Sequence, residues 1–467
     1  MQAVQIVTIF GYFFMCLAIG YALRKRGADT ETGYLVAGRM IGPIVGGLSM
    51  AASYMSAAAF MGVAGMGYKF GLPFIFTVVA MCGMGFIVAQ ILIATPLARR
   101  AKDFTVTDYL TERYGSQFIR VVTPIIVVIL LATYGIPQLK ASGMAVSKIV
   151  GISLPWAVII SALIFVVYVS IGGMWAVSIT DAVQAAIMVV AMVFLGCWTF
   201  FVIGQPGELL TAAFANNKIL GGFGLPKISF IGAGILWFFG VVGLPHLVMR
   251  VFTARGEIVA RKTLLNSVIY FNIFYFFGVY LVAIVGSAKF PGLTRPDQCV
   301  LRVMELVHPV MQGILTAGLI AAVMSTTDTL LITISAAISN DLYYRLINPQ
   351  ASQRKVVMVG KISVWVVGAV VAYLAIQEIR MILILVGAVI ATASSTFAIP
   401  LIFGIYWKDA TKLAGELGVV FGFVVCFGLF LLKWVPPMSE GVFGVAASAF
   451  VMIVVTYLTR QKLAAAR

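Results

Sequence analysis

Apolar runs of about 18 residues or more recur along the whole of this 467-residue chain, and no other feature constrains its fold as strongly. A run of that length lets one helix cross the hydrocarbon of a bilayer with every backbone polar group satisfied inside the segment. With 62% hydrophobic residues, 10% charged residues and a mean hydropathy of +1.07, the composition excludes a soluble domain of this size. The expected fold is an all-α polytopic membrane protein, built as one membrane domain.

About thirteen transmembrane helices are expected, near 4–23, 41–67, 73–95, 120–147, 154–173, 180–203, 228–250, 263–287, 309–340, 356–376, 380–406, 411–432 and 441–459. A net charge of +16 raises the question of a nucleic-acid partner. The basic residues form no basic domain, so that partner is rejected. Most of the 32 Lys and Arg fall in alternate short loops instead, for example Arg24, Lys25 and Arg26, then Arg99, Arg100 and Lys102. Arg255, Arg261 and Lys262 follow the seventh span, Arg345, Arg354 and Lys355 the ninth, and Arg460, Lys462 and Arg467 close the chain. The positive-inside rule then puts the N-terminus outside and the C-terminus in the cytoplasm of a cell membrane, the bacterial inner membrane. Residues 4–23 read as a retained span, not a cleaved signal. Cys16, Cys82, Cys197, Cys299 and Cys426 are isolated and suggest neither disulfides nor a metal cluster.

Two spans are interrupted. Residues 42–67 carry Gly42, Pro43, Gly46, Gly47, Gly62, Gly65 and Gly67, and five spans later 232–245 carry Gly232, Gly234, Gly240, Gly243 and Pro245. Interruptions at equivalent positions of two five-span units point to a transporter of inverted repeats. The expected division is 1–40 as leading helix and first cytoplasmic loop, 41–203 and 228–406 as the repeats, and 411–467 as two closing helices. In the loop 98–120, FTVTDYL reads as a short helix capped by Thr105 or Thr107.

The stretch 321–341, AAVMSTTDTLLITISAAISND, is the most polar part of an apolar span. At 100° per residue, Ala322, Ser325, Thr326, Thr329, Thr333 and Ala336 share one stripe, with Asp328 on its flank. Small and hydroxylated residues also serve close helix packing. A carboxylate at that depth points instead to function, and the stripe suits a cation site.

Together, GGMWAVSITDAVQ at 172–184, GLPHLVMR at 243–250, AAVMST at 321–326 and NDLY at 340–343 resemble the sodium:solute symporter family. The resemblance runs over roughly residues 5 to 460. It implies a LeuT-type fold of five plus five inverted repeats, with one extra helix before and two after. It also implies a sodium site made of the Ala52, Met55 and Ala322 carbonyls and the Ser325 and Thr326 hydroxyls. A second cation site in some members maps to Asp181, Ser325, Asp328 and Thr329. The family usually has a small neutral residue at 328, so Asp328 either adds charge to that site or takes up a proton. Asp181, taken alone, also reads as a helix cap, and Arg250 is assigned to the cytoplasmic end of its span. The resemblance places substrate among Tyr54, Ser56, Phe60, Gln138, Pro245 and His246. An aspartate stands at the place of Tyr54 in proline-type members. AASYMSAAAFMG at 51–62 is nearest to pantothenate and acetate carriers.

The expectation is a sodium-coupled symporter of a small organic solute, in first place a monocarboxylate such as acetate, pyruvate or pantothenate. Proline or sugar symport, a proton-coupled variant through Asp328 and a sensor that has lost transport are the alternatives. Na+ is the ion implied; with two His and no Cys/His cluster, a transition metal does not fit. No nucleotide-binding motif suggests a pump, and no nucleophile with its base suggests an enzyme.

Overall fold

The computed structural model describes residues 2–27, 30–100, 102–377 and 382–465, so Arg467 lies outside the described residues. Among them the chain is helical, and the one extended pairing is a bridge between Ile41 and Ala254. In chain order the first helices are α1 (Gln2–Gly27), α2 (Glu31–Val36), α3 (Pro43–Tyr54) and α4 (Ala58–Phe70). Next come α5 (Leu72–Ala98), α6 (Val106–Tyr114), α7 (Gln117–Val150), α8 (Leu154–Ile203) and α9 (Pro206–Asn216). The second half holds α10 (Lys227–Gly243), α11 (Pro245–Phe252), α12 (Glu257–Lys289), α13 (Cys299–Met304) and α14 (Pro309–Ile347). Last are α15 (Gln353–Ile376), α16 (Ile384–Tyr406), α17 (Lys412–Leu432) and α18 (Glu440–Ala465).

Ten of the described helices, α10 and α11 counted together, are long and apolar enough to cross a membrane, and the bent pair α3–α4 makes eleven. Proline opens α3, α8, α9, α11 and α14, where its missing N–H costs no hydrogen bond. Thr105 caps α6, accepting from Asp108 N at 3.2 Å, and Ser116 caps α7, accepting from Ile119 N at 3.1 Å. The loops 204–227 and 288–308, which show no sequence motif, contain α9 and α13.

Three breaks shape the bundle. α3 and α4 meet at 65°. α10 and α11 are separated by Leu244 at φ −76°, ψ 116°. Inside α8, Gly173 takes φ 56°, ψ −154°, and a Cβ there would lie 2.8 Å from Tyr34 O, so only glycine fits. α14 stands at the centre. Its most apolar stretch is 100% buried against 28% for α17 and α18, and it packs on α1, α7, α8 and α15.

The loops richest in basic residues converge at one end. Arg39 donates to Asp103 O at 2.5 Å, Arg345 to Lys102 O at 3.1 Å, and Arg113 to Gly404 O and Trp407 O at 2.6 and 2.7 Å. Arg99 pairs with Glu257, and Glu31 N donates to Gln353 Oε1 at 2.8 Å. Burial pushes the Glu31 carboxyl up to about 7, opposed by Arg345 and reinforced by Asp108.

α10 reaches the start of α18 only because position 232 lacks a side chain, since a Cβ there would meet Met438 O at 2.0 Å. Gly232→Ala is expected to cost about 1–3 kcal/mol by overpacking and to lower the thermal midpoint in detergent. Gly428→Ala, at a position with nothing within 4 Å, should leave the midpoint unchanged.

Candidate functional site

The break between α3 and α4 frees backbone groups. Met55 leaves the helix at φ −79°, ψ 65°. Ser56 N turns back to Tyr54 O at 2.9 Å, and Ala57 N goes to Gln138 Oε1 at 3.1 Å. The Ala52 and Ser53 carbonyls therefore lose the amides that a continuous helix would supply. Hydroxyls from α14 meet them. Ser325 Oγ lies 3.1 Å from Ala52 O and 3.3 Å from Ala322 O, while Thr326 Oγ1 lies 3.5 Å from Ser53 O and 3.2 Å from Ala322 O. Ala52, Met55, Ala322, Ser325 and Thr326 are all 0% exposed. The structure thus brings four of the five expected residues into contact, with Met55 at the break itself. Neutral carbonyl and hydroxyl oxygens of this kind are hard ligands suited to a hard cation held reversibly.

Beside this cluster the structure corrects two expectations. Arg250 does not sit at a wet end of its span; it is 2% exposed and forms an ion pair with Asp181, itself 0% exposed. Its guanidinium also donates to Thr329 Oγ1 at 2.5 Å, Ser53 Oγ at 3.2 Å and Ser178 Oγ at 3.1 Å. Asp181 is no simple helix cap. Its Oδ2 accepts from Ser49 Oγ and Thr329 Oγ1, both at 3.2 Å. An ionised carboxylate at 0% exposure needs a charged partner, and GLPHLVMR supplies one to Asp181 from α11.

Of the four residues expected at a second cation site, Asp181 and Thr329 come together around Arg250, with Ser325 one turn away. Asp328 stays out. Both of its oxygens are buried and without a hydrogen-bond partner. The reason is helical geometry: one residue is 100° of rotation, so a helix that aims Thr329 at Asp181 turns Asp328 to another side.

Of the substrate candidates, Tyr54, Ser56, Phe60 and Gln138 lie at or beside the same break, while Pro245 and His246 lie where α10 gives way to α11. A chain of rings links Phe60 to Phe274 (5.9 Å), Phe274 to Tyr275 (5.2 Å), Tyr275 to Phe271 (4.4 Å), Phe271 to Tyr54 (5.9 Å) and Tyr54 to Trp237 (5.6 Å). Ser56 O accepts from Phe60 N at 2.9 Å and starts α4. Gln138 holds Ala57 N, and His246 lies edge-on to Tyr134 at 5.9 Å. Pro245 lines a small cavity with Thr105, Thr107, Met249 and Asp341, on the side of the α6 loop. Gln138 Nε2, Trp237 Nε1, the Tyr275 hydroxyl and both His246 ring nitrogens are buried without partners. Trp237, Tyr275, Ser49 and Ser53 escaped the sequence reading, and Arg250 was given the wrong depth. Only the Arg of GLPHxxxR carried a signal, a charge inside a motif. Lys140 reaches Gln377 O, and Glu416 accepts from Ser116 Oγ at 2.5 Å.

The family model for the sodium:solute symporter family matches residues 34–422, more than half of the chain. The sodium/proline symporter of Staphylococcus aureus (strain JH9) is 28% identical over 474 residues, covering 96% of this chain and 91% of its own. In fold, the chain is similar to a Na+-coupled sialic acid symporter solved in a substrate-bound outward-open state. That match has a TM-score of 0.79 at 18% identity, over 97% of this chain and 98% of that one. A nucleobase-cation-symport-1 family transporter in a closed conformation gives a TM-score of 0.59 at 14% identity, over 93% and 96%.

Removing one member of the Asp181–Arg250 pair leaves the other charge buried alone, a loss of about 3–5 kcal/mol. Asp181→Asn and Arg250→Met should each lower the melting midpoint in detergent. With Asp181→Asn combined with Arg250→Met, the midpoint should fall by clearly less than the sum of the single changes.

Proposed function

The chain belongs to the sodium:solute symporter family, and from that membership we propose that it imports a small organic solute together with Na+ by alternating access. It is a secondary transporter and not an enzyme. The observation that carries the reading is the meeting of Ser325 and Thr326 with carbonyls freed at the α3–α4 break. Sodium held by the Ala52, Met55 and Ala322 carbonyls and the Ser325 and Thr326 hydroxyls would tie the break to the central helix. Gln138, bonded to Ala57 N, links that junction to the substrate region, so ion binding orders the place where solute docks. The inward membrane potential then contributes about 2.3 kcal/mol per charge per 100 mV.

The substrate class we favour is a small monocarboxylate such as acetate, pyruvate or pantothenate. Gln138 Nε2, Trp237 Nε1 and the Tyr275 hydroxyl are donors in want of acceptors. α4 and α11 begin at the two breaks and turn their positive dipole ends inward. The buried carboxylate Asp181 is already held by Arg250, which leaves it poorly placed to receive an amine. The S. aureus relative supports proline as the alternative, and the sialic acid symporter supports a sugar acid.

Thirteen spans in two inverted repeats, 41–203 and 228–406, with 1–40 before and 411–467 after, form part of this reading. The 26-residue α1 and the division of α8 at Gly173 support that layout. The contacts among loops 24–39, 99–113, 253–257, 345–355 and 404–410 support a single cytoplasmic face, with the N-terminus outside and the C-terminus inside.

In proteoliposomes, Ser325→Ala and Thr326→Ala should each raise the sodium concentration for half-maximal uptake roughly tenfold, equivalent to about 1.4 kcal/mol. Uptake that needs no sodium gradient would refute symport. In competition against labelled pyruvate, acetate and pantothenate should inhibit while galactose does not. Inhibition by proline alone would select the amino-acid reading.

A further inference from the structure

At the basic end of the bundle, the last turns of α1, the middle of α15 and the part of α8 just before Gly173 enclose a cavity of about 480 Å³. That volume falls within the range of about 300–1,000 Å³ over which pockets hold small molecules and headgroups. Arg24 and Lys25 of α1 and Lys361 of α15 line it, with Val167 and Ile171 of α8 and Trp365 of α15 as its apolar lining. The Ser170 hydroxyl, also at the cavity, is taken up by its own helix, donating to Val166 O at 2.6 Å.

The charges around this space are of one sign. α1 and α15 contain no Asp or Glu, and the acid of α8, Asp181, is engaged with Arg250. Among the described residues, Arg24, Lys25 and Lys361 form no ion pair. Arg24 lies over the Tyr21 ring at 3.5 Å and donates to Tyr21 O at 2.7 Å, which uses one of its five N–H donors. Lys361 Nζ stands 6.0 Å from the Tyr34 ring. Three like charges around one space repel, and an anion among them relieves that cost.

The cavity also borders apolar surface. Along α15, Met358, Ile362, Val366, Val370 and Tyr373 are exposed in one helical stripe, which in a bilayer meets acyl chains. Trp365, 46% exposed, stands between that stripe and Lys361, as an indole does where hydrocarbon gives way to headgroups. A free phosphate would meet the cations and leave the apolar lining bare. A phospholipid satisfies both.

We propose that this cavity binds the phosphodiester headgroup of an anionic phospholipid. Arg24, Lys25 and Lys361 take the phosphate, and Val167, Ile171 and Trp365 take the start of the acyl chains. Basic pockets between transmembrane helices suit such headgroups. Bound there, the lipid joins α1 to α15 across the stretch of α8 that leads into its break at Gly173. The site is independent of the sodium cluster, and its occupancy does not rest on symport.

Native mass spectrometry of the full-length chain in detergent, with added phosphatidylglycerol or phosphatidylcholine, tests the site. Wild type is expected to retain phosphatidylglycerol at concentrations where phosphatidylcholine is lost. Arg24→Gln, Lys25→Gln and Lys361→Gln should each weaken phosphatidylglycerol binding about fivefold, and the triple variant about a hundredfold. Lys218→Gln, the same charge change in the loop 204–227, should bind as wild type does. Equal retention of the two lipids by wild type, or undiminished affinity in the triple variant, would overturn the proposal. An excess of inorganic phosphate should leave the lipid bound. Phosphate that displaces it from wild type, and that the triple variant no longer binds, would make the ligand a free ion and overturn the lipid assignment. Phosphatidylglycerol should also raise the melting midpoint of wild type and of Lys218→Gln but not of the triple variant. Should the triple variant fail to fold, Lys25→Gln at its exposed position carries the same comparison.

Discussion

In a medium without water, a backbone carbonyl that loses its helical amide must find another partner, and the centre of this molecule is arranged around that requirement. At Met55 the chain steps out of the helix, and the Ala52 and Ser53 carbonyls pass to Ser325 and Thr326 on α14. The amide of Ala57 passes to Gln138 on α7. Three elements far apart in sequence are therefore joined by groups that a continuous helix would have kept to itself. In the proposed reading a cation entering there would replace hydroxyl donors at oxygens already in place, and the break would serve as a switch.

Buried charge follows the same logic with larger energies. Arg250 and Asp181 are affordable within the bundle because each neutralises the other and because Ser49, Ser53, Ser178 and Thr329 add hydrogen bonds, although Asp181 Oδ1 and Arg250 Nε are left without partners. The pair spans α8 and α11, while its hydroxyl partners lie on α3, α8 and α14. It abuts the cluster of freed carbonyls and α14 hydroxyls through Ser53, whose carbonyl serves one group and whose hydroxyl serves the other. Asp328, a few ångströms of helix away, has no such company. The contrast between the two acids comes from one residue of helical rotation.

Much of this was legible in the chain. Hydropathy showed a chain of apolar helices, and the motifs AAVMST, GGxxAVxxTDxxQ and GLPHxxxR pointed to the family and to Ser325 and Thr326. The stripe through Ala322, Ser325, Thr326 and Thr329 follows from period alone, and the structure keeps it facing α3 and Arg250. The interrupted spans were visible as glycine and proline. Arg250 was misplaced because a charge near the end of an apolar run ordinarily snorkels to water, and only the approach of Asp181 from another helix keeps it inside. Trp237 and Tyr275 gave no signal, since aromatic residues are common in any apolar span.

What the sequence determined by itself was everything that depends on local period and composition. That covers an all-helical membrane protein, which two spans are interrupted, and the face of α14 that carries hydroxyls. What the tertiary structure decided was which partners those groups meet. Asp181 and Asp328 look alike in the chain, as two acids in apolar helices. Packing gave the first a guanidinium and the second none, because a contact between helices is fixed by how they cross and rotate, and neither is written in the spacing of residues along one of them.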